Sequence, residues 1–363
     1  MPPIGKRHIG IAFDMYGCPN ACRHCYLGKA FGPPMSEEDV RWAVAQFRKY
    51  TRQGDTAPFF QKLTVTTWLR EPDYADDYRR LYNLEDELSD GRPARSELLS
   101  IWRLARDVHY ARWAKEVGPD TCQISFFGLE ETNDWFHRRQ GAFRDNLAAT
   151  ERLLEAGMKP RWQFFLTRKI LPELSGLMRL IGKRRLRERV ADLGGRFDFF
   201  IHTPGPDYEG RRIEDLRPTL DEIGNMPAEL IEASKRHFGR ETLWRSEAEL
   251  YAAMMNEAPM FPYAHNPIDM LWFFVTNRFD VFSNLGTLEP WWLLGNLRKH
   301  SVAAIADAFE NNRPLALKTT YTVPARELAR EFGDPASTRV YGGADDLKSL
   351  YLAQYCETKC STI

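Results

Sequence analysis

The chain carries no net charge, because 50 basic residues offset 50 acidic ones. Proteins that grip nucleic acid show a basic excess, so a nucleic-acid partner has no support. The one basic run, GKRRLRERV at 182–190, is interrupted by Glu188 and reads as a solvated helix face. Long apolar runs are missing too. A run such as MLWFFV, at 270–275, is far shorter than the roughly 20 residues a membrane helix needs. The N-terminal MPPIGKRHIGIAF lacks the apolar segment of a signal peptide. A cytoplasmic protein with no membrane partner is therefore expected. There is no internal repeat and no low-complexity linker. Cysteine is sparse, at six in 363 residues. In a long intracellular chain that reads as metal or redox chemistry more readily than as a disulfide framework.

What is present is ordinary for a globular protein: 43% apolar and 28% charged residues, with many aromatics. The length allows two domains, or one large domain with an extension. HIGIAF, 8–13, reads as a buried strand. SEEDVRWAVAQFRKY, 36–50, reads as a helix capped by Ser36, with Val40, Val44 and Phe47 on one face. Strands are expected at 62–69, 122–128, 161–167 and 196–206, with helical sequence through about 116 and at 142–157 and 172–193. Strands alternating with helices argue for a parallel sheet with crossover helices, hence an α/β barrel or an open α/β sheet. In such folds chemistry gathers at the C-terminal ends of the strands. After about 225 the pattern changes, with a helix at 227–238 and a hairpin at 270–286 turning around Asn277. The expected division is 1–225 and 226–363.

The chemistry-bearing stretch is CPNACRHCY, 18–26, which places Cys18, Cys22 and Cys25 at the spacing C-x3-C-x2-C directly after the first strand. Three thiolates are one short of a closed tetrahedral zinc site or a fully ligated iron–sulfur cluster. One reading is a structural zinc completed by His24 or His8, or by Cys122, Cys356 or Cys360 from afar. The other is a 4Fe–4S cluster with one iron left open, as catalytic metal centres are. The rival function to an enzyme is thus a non-catalytic zinc or iron–sulfur protein.

C-x3-C-x2-C in a loop after the first strand of an α/β fold resembles the radical S-adenosylmethionine (SAM) superfamily. His24 takes the aromatic position before the third cysteine. The second strand runs into TTWLREPDY, 66–74, where Glu71 and Pro72 resemble the Glu-Pro of the family's SAM-binding turn. Leu69 and Arg70 replace its glycines. QISFFGLEETNDWFHRRQGAF, 123–143, resembles the family's ribose-facing strand and following loop, which implies Ser125. FFLTRKI, 164–170, resembles the next strand end, which implies Thr167 and Arg168 near the SAM ribose or carboxylate. The resemblance covers roughly 8–220 and implies a partial (β/α)6 barrel. It also implies a mechanism, in which a 4Fe–4S cluster cleaves SAM to a 5′-deoxyadenosyl radical that takes hydrogen from a substrate. An external electron donor such as flavodoxin or ferredoxin is implied as a partner.

The segment 272–309 resembles the SPASM/twitch extension of such enzymes, a smaller α+β unit, with LGNL at 294–297. VFSN stands where the family's hairpin carries cysteine, so no auxiliary cluster is expected. Cys356 and Cys360, with Cys122 as an optional third member, remain as a candidate second metal site or redox pair. Cys122 reads as a buried structural thiol, with a hydrogen-atom donor as the alternative. The chain starts close to the first strand, which leans towards a small sugar-like or amino-acid-like substrate over a peptide. Trp68, Trp135, Trp162, Trp291 and Trp292 are candidate pocket aromatics.

Overall fold

The computed structural model describes residues 4, 7–15, 18–29, 33, 35–67, 76–91, 98–256 and 271–360. Glu71, Pro72, Leu69, Arg70 and Trp68 lie outside the described residues. The strands are β1 His8–Phe13, β2 Lys62–Thr66, β3 Thr121–Phe126, β4 Lys159–Phe165, β5 Asp198–His202, β6 Arg245–Ser246, β7 Leu271–Val275, β8 Asp280–Ser283, β9 Gly295–Asn296 and β10 Val340–Tyr341. The first nine helices are α1 Glu37–Arg48, α2 Tyr78–Leu88, α3 Ile101–Arg106, α4 Tyr110–Val117, α5 Glu130–His137, α6 Ala142–Glu155, α7 Leu174–Lys183, α8 Leu186–Asp192 and α9 Ala228–Phe238. Then follow α10 Glu247–Asn256, α11 Val302–Glu310, α12 Leu315–Thr322, α13 Ala325–Phe332 and α14 Ala344–Cys360.

The fold is mixed α/β with parallel sheets. One sheet runs β2-β1-β7-β8-β9, and β1 is parallel to both β2 and β7. A second is the parallel trio β3-β4-β5. The hairpin expected around Asn277 is β7 and β8, paired antiparallel. It does not form a sheet by itself, because β7 lies beside β1 with Ile11 opposite Phe273.

Local chemistry explains the elements. The backbone N–H of Asp39 donates to Ser36 Oγ at 3.1 Å and starts α1, and three acids fill its first turn. Val40, Ala43, Val44 and Phe47 of α1 pack in one core with Ile9, Ile11 and Phe13 of β1. Fully burying each such side chain stabilises by about 1.5–3 kcal/mol. Period-2 alternation does the same for the second sheet. Cys122, Ile124 and Phe126 of β3 join Trp162, Phe164, Phe199 and Ile201 in the helix-covered core. The opposite face then carries Gln123 and Ser125, Arg161 and Gln163, and Asp198 and His202. In register, Gln123 lies opposite Arg161, which lies opposite Asp198, and Ser125 lies opposite Gln163. This polar face meets the cysteine loop at the strand ends.

Candidate metal centre

The cysteine loop begins where β1 ends. There the N–H of Asp14 donates to the Val275 carbonyl at 2.9 Å, tying the exit of β1 to β7. Two turns wind the loop: Cys25 N–H donates to the Cys22 carbonyl at 3.2 Å, and Gly28 N–H to the Cys25 carbonyl at 3.0 Å. All three cysteines are half-buried. α5 holds the loop from the side, since Ala21 and Arg23 N–H groups donate to the His137 and Phe136 carbonyls at 3.2 and 2.9 Å. Arg139 Nε donates to Asn20 Oδ1 at 2.6 Å.

The His24 ring anchors the loop over the second sheet. It lies 4.5 Å from the Phe127 ring and 4.4 Å from that of Phe165, at the ends of β3 and β4. The connection after β5 closes from the third side. Gly28 has φ +67°, and a Cβ there would fall 1.6 Å from the Tyr208 ring. A Cβ on Gly210 would fall 3.5 Å from the His24 carbonyl. The C-terminal ends of β1, β3, β4 and β5 therefore converge on one loop, as the α/β reading expects.

Burial, and then His137 and His202, push the His24 imidazole down to about 3. Among the described residues, its buried Nδ1 and the buried Thr167 Oγ1 have no hydrogen-bond partner. Buried polar atoms are rarely left so, and both suit a polar group seated at these strand ends. The donor set points the same way: three thiols on one short loop are soft ligands of the kind that select iron–sulfur clusters or zinc. Among the described residues, no three His, Cys, Asp or Glu side chains stand together as a metal-holding group. The fit thus rests on donor chemistry and place.

Ser125 faces the polar side of β3, and its Oγ donates to Gln163 Oε1 at 3.2 Å. Gln163 also accepts from Gln123 Nε2 at 2.6 Å and contacts His202 Nε2. Thr167 is fully buried. Arg168 is engaged elsewhere, because its exposed guanidinium pairs with Glu222 at 2.9 Å and donates to the Asp215 carbonyl. Cys122 is fully buried among apolar residues on the helix-covered face of β3. Cys356 is buried in the other core, its thiol pushed up to about 12 by burial and then by Cys360, which is exposed. Trp162 is fully buried and Trp292 nearly so, both as core residues.

Sequence reasoning missed Gln163, His202 and Asp207. Gln163 carries the signal of a polar residue inside the apolar strand WQFF. Asp207, after β5, lines a small cavity with Thr287, Glu289 and Ser349. Burial first, then Asp346 and Glu289, push its carboxyl up to about 6. A larger open cavity of about 160 Å³ lies against the cysteine loop. Asp14, Lys29, Tyr208, Asn277, Arg278 and Asp280 line it, so the β7–β8 turn closes one side.

The buried histidines set a pH dependence. His137 Nδ1–H donates to the Asn133 carbonyl at 2.8 Å, and burial pushes its pKa down to about 4. Burial, and then His237, also push His202 down to about 4. The unfolded chain protonates these rings and His24 near 6.5, so it binds up to three more protons than the folded chain as pH falls from 6.5 to 4. Asp207 opposes with one proton bound earlier in the folded state. The net slope is a loss of stability on acidification. Tm is expected to fall steadily from pH 7 to pH 4 in thermal unfolding, and His137→Gln should flatten that fall. A Tm independent of pH across this window would contradict the neutral assignments.

No protein-family model and no curated protein sequence matches the chain. Solved structures do. Native anSMEcpe with bound AdoMet superposes with a TM-score of 0.50 at 12% identity, over 96% of this chain and 97% of that one. The same protein with AdoMet and the Cp18Cys peptide gives 0.50 at 12% identity, over 97% of each chain. The chain shares the fold of anSMEcpe over nearly its whole length. Escherichia coli coproporphyrinogen III oxidase (HemN), described as a radical SAM enzyme, is similar at a TM-score of 0.38 and 11% identity, over 96% of this chain and 89% of that one. Among the described residues no helix is long and apolar enough to cross a membrane.

Proposed function

We propose that the protein is a radical SAM enzyme in which Cys18, Cys22 and Cys25 hold a 4Fe–4S cluster with one iron left open for S-adenosylmethionine. The observation that carries this reading is the cysteine loop itself, placed after β1 and fastened to the ends of β3, β4 and β5 in a fold shared with anSMEcpe. When bound, the cluster supplies the electron that cleaves SAM to methionine and a 5′-deoxyadenosyl radical, which abstracts hydrogen from the substrate. The chain's own residues position and shield. His24, packed against the stacked rings of Phe127 and Phe165, fixes the loop's height above the sheet. Ser125, oriented by Gln163, and Thr167, with its unpartnered hydroxyl, are the groups proposed to meet the SAM ribose. Glu71 is proposed for the SAM amino group. Arg168 joins the site only by leaving Glu222.

The cavity beside the loop is proposed to take the substrate. Its volume of about 160 Å³ suits a small polar molecule, and it lies below the roughly 300–1,000 Å³ of drug-sized pockets. Asp14 and Asp280 face Lys29 and Arg278 there, so a zwitterionic, amino-acid-like ligand matches the lining. A second reading, one side chain of a peptide, is favoured by anSMEcpe, whose structure holds a peptide. The segment from 226 onward is proposed as a degenerate SPASM/twitch-like unit without an auxiliary cluster, covering the site with its β7–β8 turn. The test is anaerobic reconstitution with iron and sulfide, then SAM and dithionite, with products read by mass spectrometry. Methionine and 5′-deoxyadenosine in equal amounts support the reading. A colourless zinc protein that leaves SAM intact overturns it.

A further inference from the structure

A reduced cluster needs an electron from outside, and the surface next to the cysteine loop has an unusual charge arrangement. Most cations around the loop are neutralised. Arg138 pairs with Glu209 at 2.8 Å, Arg139 with Asp145 at 2.6 Å, Arg144 with Glu130 at 3.0 Å and Arg168 with Glu222 at 2.9 Å. Arg23 and Lys169 stand apart. Arg23 lies inside the cysteine motif, one residue after Cys22. Its guanidinium sits 3.9 Å from the centroid of the Trp135 ring, and its Nε donates to the Trp135 carbonyl at 3.1 Å. Lys169 comes from beyond the end of β4, and its Nζ sits 4.8 Å from the same ring. Among the described residues neither cation has a carboxylate in salt-bridge range. Two cations therefore share one indole, which is itself 37% exposed.

The arrangement costs energy by itself, since like charges beside one ring repel. Burial and Arg138 both disfavour the Arg23 charge further. Glu209 offsets part of this, and two other nearby acids are engaged elsewhere. Asp134 accepts the N–H groups of Gly141 and Phe143, and Glu173 accepts the Leu129 N–H and the Thr132 hydroxyl. Glu131, one turn before Trp135 on α5, is exposed to solvent. Tyr26, directly after Cys25, is 50% exposed at the same loop. The result is a rigid, aromatic-backed cationic patch built into the cluster loop of a chain whose net charge is zero.

We infer that the Arg23–Trp135–Lys169 patch docks an acidic one-electron carrier protein beside the cluster loop. The inference rests on the reading of this loop as a cluster site. The donor's reduced cofactor loses one electron and the cluster gains it, with no atom transferred. The carrier's acidic surface supplies the carboxylates that the patch lacks. A patch of this kind raises the encounter rate and orients the partner, and both effects weaken with salt.

The test uses the reconstituted full-length protein, reduced flavodoxin as the acidic carrier, and the variants Lys169→Glu and Lys169→Met. Binding is measured by calorimetric titration with oxidised flavodoxin at rising ionic strength. At low salt, Lys169→Glu should weaken binding by about tenfold or more and Lys169→Met by less, with a shallower salt dependence in both. SAM cleavage driven by dithionite should be unchanged in both, while cleavage driven by flavodoxin falls in step with binding. Equal binding by wild type and Lys169→Glu overturns the docking surface, as does no binding of wild type. Loss of dithionite-driven cleavage in wild type would instead overturn the functional reading, and flavodoxin binding would still report on the patch.

Discussion

Replacing Cys22 with alanine is expected to abolish both the brown colour of the reconstituted protein and its cleavage of SAM. Cys22 is the central thiol of the motif, and its carbonyl accepts the Cys25 N–H, so it stands inside the first turn of the loop. Its loss leaves two thiolates, too few to retain a cluster that already has only three. Hard radical chemistry belongs to the cofactor, so a chain without it has no slower route to the same product. Cleavage should drop by at least about 10³-fold, equivalent to roughly 4 kcal/mol of lost barrier reduction. The matching control is Cys360→Ser, because Cys360 is exposed at the end of α14, away from the apolar cores. It should keep full colour and rate. Iron and sulfide content and 5′-deoxyadenosine release check both variants, and retained cleavage by Cys22→Ala would refute the ligand assignment.

The second large effect concerns stability. Arg217 is almost completely buried and serves three elements at once. Its guanidinium donates to the Pro204 carbonyl after β5 at 3.0 Å and to the Val340 carbonyl on β10 at 3.1 Å, and pairs with Glu214. Its plane lies 4.0 Å from the Tyr341 ring, and Tyr341 Oη donates to Glu214 at 3.1 Å. Arg217→Met removes the charge and strands Glu214 and two carbonyls. Breaking one partner of a buried pair costs about 3–5 kcal/mol, which corresponds to a fall in Tm of roughly 4–7 °C for a chain of this size. Adding Glu214→Gln should recover part of the loss, because it removes the stranded charge. Thermal unfolding of the single and double variants checks this. A single variant with wild-type Tm would contradict the description of Arg217 as the tie between the loop after β5 and the C-terminal segment.

Features that depend on neighbouring residues were legible in the sequence. β1 matches HIGIAF residue for residue, and α1 starts at Ser36 as its cap predicted, because strand alternation and capping are settled within a few positions. The β7–β8 hairpin is equally local. Partners distant in the chain were not legible. Nothing in LWFFV states that it will lie beside β1, some 260 residues earlier, since an apolar strand fits either side of many others. The same holds for the site. The spacing of Cys18, Cys22 and Cys25 is visible in one line of sequence. The seating of His24 against the stacked rings of Phe127 and Phe165 depends on residues more than 100 positions away. Arg168 follows a strand end as expected, yet Glu222 lies within reach and takes its guanidinium. Asp207 looks like any loop acid until burial beside Asp346 and Glu289 pushes it up to about 6.

Chemically reduced, reconstituted protein examined by electron paramagnetic resonance, before and after adding SAM, tests the open-iron claim most directly. A cluster held by Cys18, Cys22 and Cys25 alone leaves one iron to take the SAM amine and carboxylate. Its signal should therefore shift on addition of SAM, and the shift should be absent in Cys22→Ala. A cluster signal that SAM leaves unchanged, or a protein that binds zinc and gives no signal, would contradict the account.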